Sequence, residues 1–158
     1  MRAGGPEATT ATLQEVSQLR AAEARGADSI IVPWIPDEYK NSTDIDLREA
    51  YQYYRTPRAA HPNWQNKMRF STMDAVMAYD AFALADMLLT QPLQIIVGSK
   101  PGAFNSNRDG HELYKVAVSS QKDLFVLDGA SHFDMYDNPK YVKMAVAKFD
   151  DFYRLHLK

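Results

Sequence analysis

The sequence has 158 residues, and its 18 Lys and Arg residues against 20 Asp and Glu residues give a formal net charge of −2. This balance excludes the basic surface that a nucleic-acid partner or an anionic membrane would need, while 46% hydrophobic and 24% charged residues predict a folded globular chain. The absence of cysteine excludes disulfides, thiolate nucleophiles and cysteine-bound zinc, and together with the lack of an apolar signal segment it favours a cytoplasmic location.

Residues 1–32 are predicted to form an N-terminal helix followed by a lead-in to the next segment. Thr12 and Glu15 have the capping-box spacing with which helices begin, and Gly26 ends the amphipathic run.

Residues 33–91 are predicted to form a helical segment that resembles the lid or cap of an enzyme. Four prolines break its first part into short pieces, one helix is predicted from about Asp46 to Tyr54, and a long amphipathic helix from Ser71 to about Thr90. Three of the aromatic side chains concentrated here are candidates for substrate binding: Trp34, Tyr54 and Trp64. The aromatic cluster is either the wall of a pocket or the core of a lid, and the residues alone leave both interpretations open.

Residues 92–158 are predicted to form an α/β core segment. Leu93–Gly98 and Leu124–Leu127 are continuous apolar runs of the kind found in buried parallel strands, and a helix is predicted between them over residues 108–119. Pro139 is expected at the start of the last helix. Two strands that are apolar on both faces need further neighbours, which predicts a larger sheet.

His132 is the main candidate for chemistry, because it follows the second strand. Ligands and catalytic groups collect beyond the carboxyl ends of parallel strands, and a histidine there can act as a general base near neutral pH. The alternative is a loop histidine that bonds only the backbone. A metal site on His132, Asp134 and Asp137 is a further alternative, although both aspartates are more typical of capping groups beside a helix that begins at Pro139.

Three segments resemble the C-terminal end of an α/β-hydrolase: residues 93–98, residues 100–110 and residues 125–137. The most specific is Gly129-Ala-Ser-His-Phe-Asp-Met-Tyr-Asp137, which resembles a motif of the bacterial and fungal branch that includes the fungal polyketide transferases, with methionine in place of leucine. The segments Tyr53-Tyr-Arg-Thr-Pro57 and His61-Pro-Asn-Trp64 resemble that branch's cap, and the resemblance extends from about Ala21 to Leu157.

The resemblance implies the C-terminal part of an α/β-hydrolase fold with a helical lid, and it makes His132 the histidine of a catalytic triad. The triad acid should follow the preceding strand, where Ser99 stands at the commonest aspartate position and Asp109 is the best carboxylate. Asp109 in the first turn of a helix is also favourable for the helix dipole alone. The nucleophile is missing, because no Gly-x-Ser-x-Gly segment occurs in the sequence.

Two hypotheses of function follow. In the first, the full-length form hydrolyses or transfers an acyl group of a small-molecule ester, with His132 as base, Asp109 as acid and no metal or organic cofactor; the isolated chain is expected to be inactive. In the second, the chain is a truncated, non-catalytic hydrolase-like protein that docks through the strand edge at Leu93–Val97, either as a homodimer or with a complementary N-terminal chain. A metal-dependent hydrolase built on His132 and Asp134 is a third, less favoured hypothesis.

Overall fold

The computed structural model describes residues 5–36 and 44–157. Helix α1 is Gly5–Ala24, so it begins before the predicted capping box. Thr12 lies inside the helix, where its Oγ1 donates to the carbonyl of Ala8 at 3.0 Å, and the capping prediction is therefore wrong. Pro6 lies in the first turn, where a missing backbone N–H costs no helical hydrogen bond.

Helix α2 is Ile45–Tyr54, which confirms the predicted helix to within one residue. Its N-cap is Asp44, whose Oδ1 accepts a hydrogen bond from the backbone N–H of Leu47 at 3.1 Å. Asp46 and Ala50, one turn apart on the same face, are buried. Helix α2 therefore packs on the rest of the chain through this face.

The predicted long helix between Ser71 and Thr90 is wrong. The strand pair β1 (Ile31–Val32) and β2 (Met68–Arg69) leads into a 3₁₀ turn at Phe70–Thr72, then α3 (Met73–Ala78) and α4 (Ala85–Leu88).

Local hydrogen bonding explains the break between α3 and α4. The backbone is extended at Tyr79, with ψ at 122°, and the Asp80 carboxylate then accepts from the backbone N–H of Phe82 at 2.9 Å. Leu84 adopts a left-handed conformation with φ at 64°. An aspartate that bonds its own neighbouring backbone competes with helical hydrogen bonds, which the apolar periodicity does not reveal.

Both predicted strands of the last part of the chain form, and the second begins two residues earlier than expected. Strands β3 (Leu93–Gly98) and β4 (Lys122–Leu127) are parallel, in register from Leu93 opposite Lys122 to Gly98 opposite Leu127. Helix α5 (Ser106–Val116) crosses between them and begins two residues earlier than expected. It packs closely on β3 at Gly110, where a Cβ would lie 2.5 Å from Cγ1 of Val97.

The chain ends in a short helix α6 (Asp134–Asp137) and the long helix α7 (Pro139–His156). Pro139 begins α7 as predicted, and Asn138 is its cap, because the Asn138 side chain accepts from the backbone N–H of Lys140. Asp137 instead forms an ion pair with Arg58. Among the described residues, no helix has the length and apolar character that crossing a bilayer requires. The division at residues 32 and 91 stays a prediction.

Candidate functional site

The loops that follow β3 and β4 are bonded to each other, and this fixes the position of His132. The backbone N–H of Lys100 donates to the carbonyl of Ala130 at 2.9 Å, and the backbone N–H of Gly129 donates to Oγ of Ser99 at 2.8 Å. Ser99 is therefore a structural contact of this loop pair. The close approach requires glycine at position 98, where a Cβ would lie 2.5 Å from the carbonyl oxygen of Ala130.

Gly98→Ala is expected to destabilise the protein by about 1–3 kcal/mol, because the added methyl group would clash with the backbone of Ala130 in the loop after β4. Urea unfolding measures the change in the free energy of unfolding. Ser120→Ala, at an exposed site, is the control and is expected to stay within about 0.5 kcal/mol of the parent. An unchanged midpoint for Gly98→Ala would contradict the close packing of the two loops.

Both ring nitrogens of His132 contact hydroxyl groups. Oγ of Ser106, at the start of α5, lies 2.7 Å from Nδ1, and the hydroxyl of Tyr136, on α6, lies 2.9 Å from Nε2. The ring of Phe104 packs edge-on against the imidazole, with 5.4 Å between centroids. Sequence reasoning did not identify Ser106 or Tyr136 as partners; the four-residue spacing of His132 and Tyr136 was the available signal for the second.

The surroundings favour a neutral imidazole. Burial lowers the pKa of His132 below its ordinary value of 6.5, and the carboxylates of Asp46 and Glu49 oppose that change. Burial, with Tyr54 and Tyr53 nearby, raises the pKa of Tyr136 to about 12, so its hydroxyl stays protonated at neutral pH. When Tyr136 donates to Nε2, the ring proton lies on Nδ1 and points to Ser106, which is the tautomer a general base needs.

The lowered pKa of His132 predicts a loss of stability in mild acid. Below pH 6.5 the unfolded state binds a proton at this histidine more readily than the folded state does, so the free energy of unfolding falls as pH falls toward the folded-state pKa. His132→Gln is expected to flatten this dependence above the range near pH 4 in which carboxylates titrate. Urea unfolding from pH 7.5 to 5 measures it, and an equal slope in both proteins would contradict the prediction.

The backbone around His132 is held by Ser131, which is fully buried. Its Oγ accepts from the backbone N–H of Asp134 at 3.0 Å and donates to Oε2 of Glu49 at 2.5 Å. Oδ2 of Asp134 accepts in return from the backbone N–H of Ser131 at 2.9 Å. Asp134 thus has the reciprocal capping arrangement with Ser131, and α2 supplies the carboxylate that completes it.

An aromatic cluster lies beside His132. Phe133 is fully buried with Ile35 and Ala50. Of the three predicted substrate-binding residues, Tyr54 and Trp64 belong to this cluster and stack with 5.0 Å between ring centroids. Trp34 is 43% exposed, and its backbone N–H donates to Oδ1 of Asn66 at 3.0 Å. A role in substrate binding stays a prediction for all three.

Asp109 lies on the first turn of α5, with its side chain 41% exposed. Its Oδ1 accepts from Nε and Nη2 of Arg108 at 2.8 and 2.7 Å, while the ring nitrogens of His132 bond Ser106 and Tyr136. Its assignment as triad acid stays a prediction. Within residues 5–36 and 44–157, no group of three or more His, Asp or Glu residues is arranged to hold a metal ion.

Two curated proteins are similar in sequence. The chain is 32% identical over 137 residues to the uncharacterized protein YcjY of Escherichia coli K12, a match that covers 87% of this chain and 44% of YcjY. It is 27% identical over 134 residues to the uncharacterized protein PA2218 of Pseudomonas aeruginosa, covering 83% of this chain and 35% of PA2218. The chain thus spans less than half the length of these relatives. No protein-family model matches it.

Solved structures share the fold over almost the whole chain. The crystal structure of the hypothetical protein PA2218 from Pseudomonas aeruginosa matches with a TM-score of 0.80 and 24% identity, covering 98% of this chain and 47% of that one. DcsB in complex with its substrate analogue matches with a TM-score of 0.77, and the α/β-hydrolase GrgF from Penicillium sp. sh18 with 0.70, each at 15% identity. These matches cover 96% and 98% of this chain and 52% and 51% of the others. The chain therefore has an α/β fold, in which parallel strands are flanked by helices, and it shares that fold with a solved α/β-hydrolase.

Proposed function

We propose that the full-length protein is a cytoplasmic acyl-ester hydrolase or acyl transferase in which His132 is the general base. The observation that carries the proposal is the geometry of His132, which follows the end of β4 and holds a hydroxyl group 2.9 Å from Nε2. The fold shared with GrgF supports it, as does the resemblance of residues 129–137 to the branch that includes the fungal polyketide transferases. A small acyl substrate would lie against Tyr54 and Trp64, which pack next to this site.

The chemistry needs a nucleophile that these 158 residues do not contain as a Gly-x-Ser-x-Gly segment. The serine and the oxyanion-hole donors would come from another part of the full-length form or from a second chain. Nε2 of His132 takes the serine proton as the serine oxygen attacks the acyl carbonyl, and it returns that proton to the leaving alcohol. Water or an acceptor alcohol then releases the acyl group by the same exchange. The hydroxyl of Tyr136 lies on Nε2 in this structure, so it must yield this position to the serine.

The test is to sequence the DNA upstream of the Met1 codon and to express the whole reading frame. We expect an in-frame Gly-x-Ser-x-Gly segment, a serine there that reacts with a fluorophosphonate probe, and turnover of p-nitrophenyl esters. Residues 1–158 expressed alone are the matched control, and we expect no turnover from them. The proposal would be overturned if the upstream Gly-x-Ser-x-Gly serine did not react with the probe and the folded product cleaved no ester.

A second candidate function is docking without catalysis, and the two-stranded sheet favours it. Among the described residues, β3 pairs only with β4, so the outer backbone edge of β3 has no strand beside it. An unpaired edge is a template for another strand, supplied either by a second copy or by a complementary N-terminal chain. A stop codon directly upstream of Met1 would favour this candidate. Light scattering after size-exclusion chromatography of the natural product tests it, and a stable, soluble monomer would contradict it.

A further inference from the structure

Asp46 is a buried carboxylate on the first turn of α2. The residue is 2% exposed, and its Oδ2 accepts from the backbone N–H of Phe104 at 2.8 Å. Its Oδ1 is buried and has no hydrogen-bond partner within residues 5–36 and 44–157. A buried carboxylate oxygen without a partner is costly, because it loses its hydration and gains nothing in exchange. This cost indicates that the Asp46 carboxylate has a role beyond packing.

The carboxylate occupies space inside the loop between β3 and α5, and Gly102 leaves that space open. A Cβ at position 102 would lie 2.2 Å from Oδ2 of Asp46 and 2.3 Å from its Cγ. Any side chain at position 102 would therefore displace the carboxylate. The loop between β3 and α5 thus packs directly against the Asp46 carboxylate of α2.

The same loop and the start of α5 carry groups that contact His132. Phe104, which bonds Asp46 through its backbone, packs its ring on the imidazole, and Ser106 bonds Nδ1. The charged groups that act on the imidazole from α2 are Asp46, which is the stronger, and Glu49; both favour its protonated form. From α6 the neutral phenol of Tyr136 faces Nε2.

We propose that Asp46 is the positioning carboxylate of the His132 site: from α2, through the gap at Gly102, it stabilises the imidazolium that forms when His132 takes a proton. Ser106 bonds Nδ1 directly, and the negative charge of Asp46 acts on the imidazole from α2, which is the electrostatic part a triad acid plays. The inference rests on the proposed function, and it is a rival to the assignment of Asp109. It also places the acid and the base on different segments, so His132 is an effective base only while α2 packs against the loop after β3.

Asp46→Asn tests the proposal, because asparagine keeps an acceptor for the N–H of Phe104 and removes only the charge. In the 158-residue chain, NMR titration of the His132 ring is expected to show a lower pKa in Asp46→Asn than in the parent. Asp109→Asn tests the rival assignment of Asp109, and it is expected to leave the His132 pKa unchanged. Asp86→Asn, on the exposed side of α4, is the control for loss of a negative charge. A His132 pKa that moves in Asp109→Asn and stays constant in Asp46→Asn would overturn the proposal.

In the full-length protein, Asp46→Asn is expected to lower kcat for acyl esters by roughly 10²–10⁴-fold with little change in KM. An unchanged kcat would likewise overturn the proposal. The NMR titration needs no turnover, so it separates a failure of this inference from a failure of the proposed function.

A double variant at positions 46 and 102 distinguishes loss of the carboxylate from a folding defect in Asp46→Asn. Asp46→Gly combined with Gly102→Asp supplies a carboxylate to the same region from the loop after β3. It is expected to restore the His132 pKa toward the parent value, whereas Asp46→Gly alone is not. Equal His132 pKa values in these two variants would contradict a role for a carboxylate at this place.

Discussion

Replacing His132 with glutamine is expected to lower kcat/KM of the full-length protein for acyl esters by roughly 10⁴–10⁶-fold. Glutamine keeps hydrogen-bonding capacity toward Ser106 and Tyr136, but its amide cannot take a proton near neutral pH. The serine would then lose the group that removes its proton, and the leaving alcohol would lose its proton donor. Steady-state hydrolysis of p-nitrophenyl esters, with active serine counted by a fluorophosphonate probe, measures the effect.

The matched control is His111→Gln. His111 is exposed on α5, so its replacement removes an imidazole without touching the site. We expect this variant to keep the parent kcat/KM. Retention of more than a tenth of the parent activity in His132→Gln would refute the role of His132 as general base.

Phe133→Ala is expected to lower the free energy of unfolding by about 3–5 kcal/mol, the largest stability effect we predict. The Phe133 side chain is fully buried, and its ring lies 5.7 Å from that of Tyr53, 6.1 Å from that of Tyr54 and 5.8 Å from that of Phe104. It thus joins the segment after β4 to α2 and to the loop after β3. Truncation would leave a cavity where these three parts of the chain meet.

Urea unfolding followed by tryptophan fluorescence measures this change, since Trp64 belongs to the same cluster. Tyr79→Ala is the control, because this aromatic side chain is 76% exposed and its loss is expected to cost less than about 0.5 kcal/mol. Equal unfolding midpoints for the two variants would contradict the burial of Phe133 between these three parts of the chain.

The failed prediction between Ser71 and Thr90 shows a limit of periodicity. Apolar residues at helical spacing continue through this region, and they predicted one helix. The structure instead ends α3 at Ala78 and starts α4 at Ala85, with the Asp80 turn between them. A short polar side chain that bonds its own backbone outweighs a modest helical preference when the flanking helices are only a few residues long.

The sequence could not choose between Asp46 and Asp109 as the acid proposed for the site, for a different reason. Asp109 stands in the loop region that the resemblance indicates, and nothing local distinguishes it from a dipole-favoured aspartate. Asp46 reaches the same loop from a helix far back in the chain, through a gap that exists because position 102 has no side chain. No spacing rule connects these positions.

The sequence by itself determined the parallel strands β3 and β4, the helix between them, the start of α7 at Pro139 and the location of His132 after the second strand. These features depend on apolar runs, glycine and proline, whose conformational effects act over a few residues. The tertiary structure alone decided which groups surround His132: Ser106 from α5, Tyr136 from α6, and Asp46 and Glu49 from α2. Distant segments meet there because burying Phe133 and its aromatic neighbours brings α2 against the ends of the two strands, and burial of that kind is a property of the folded chain as a whole.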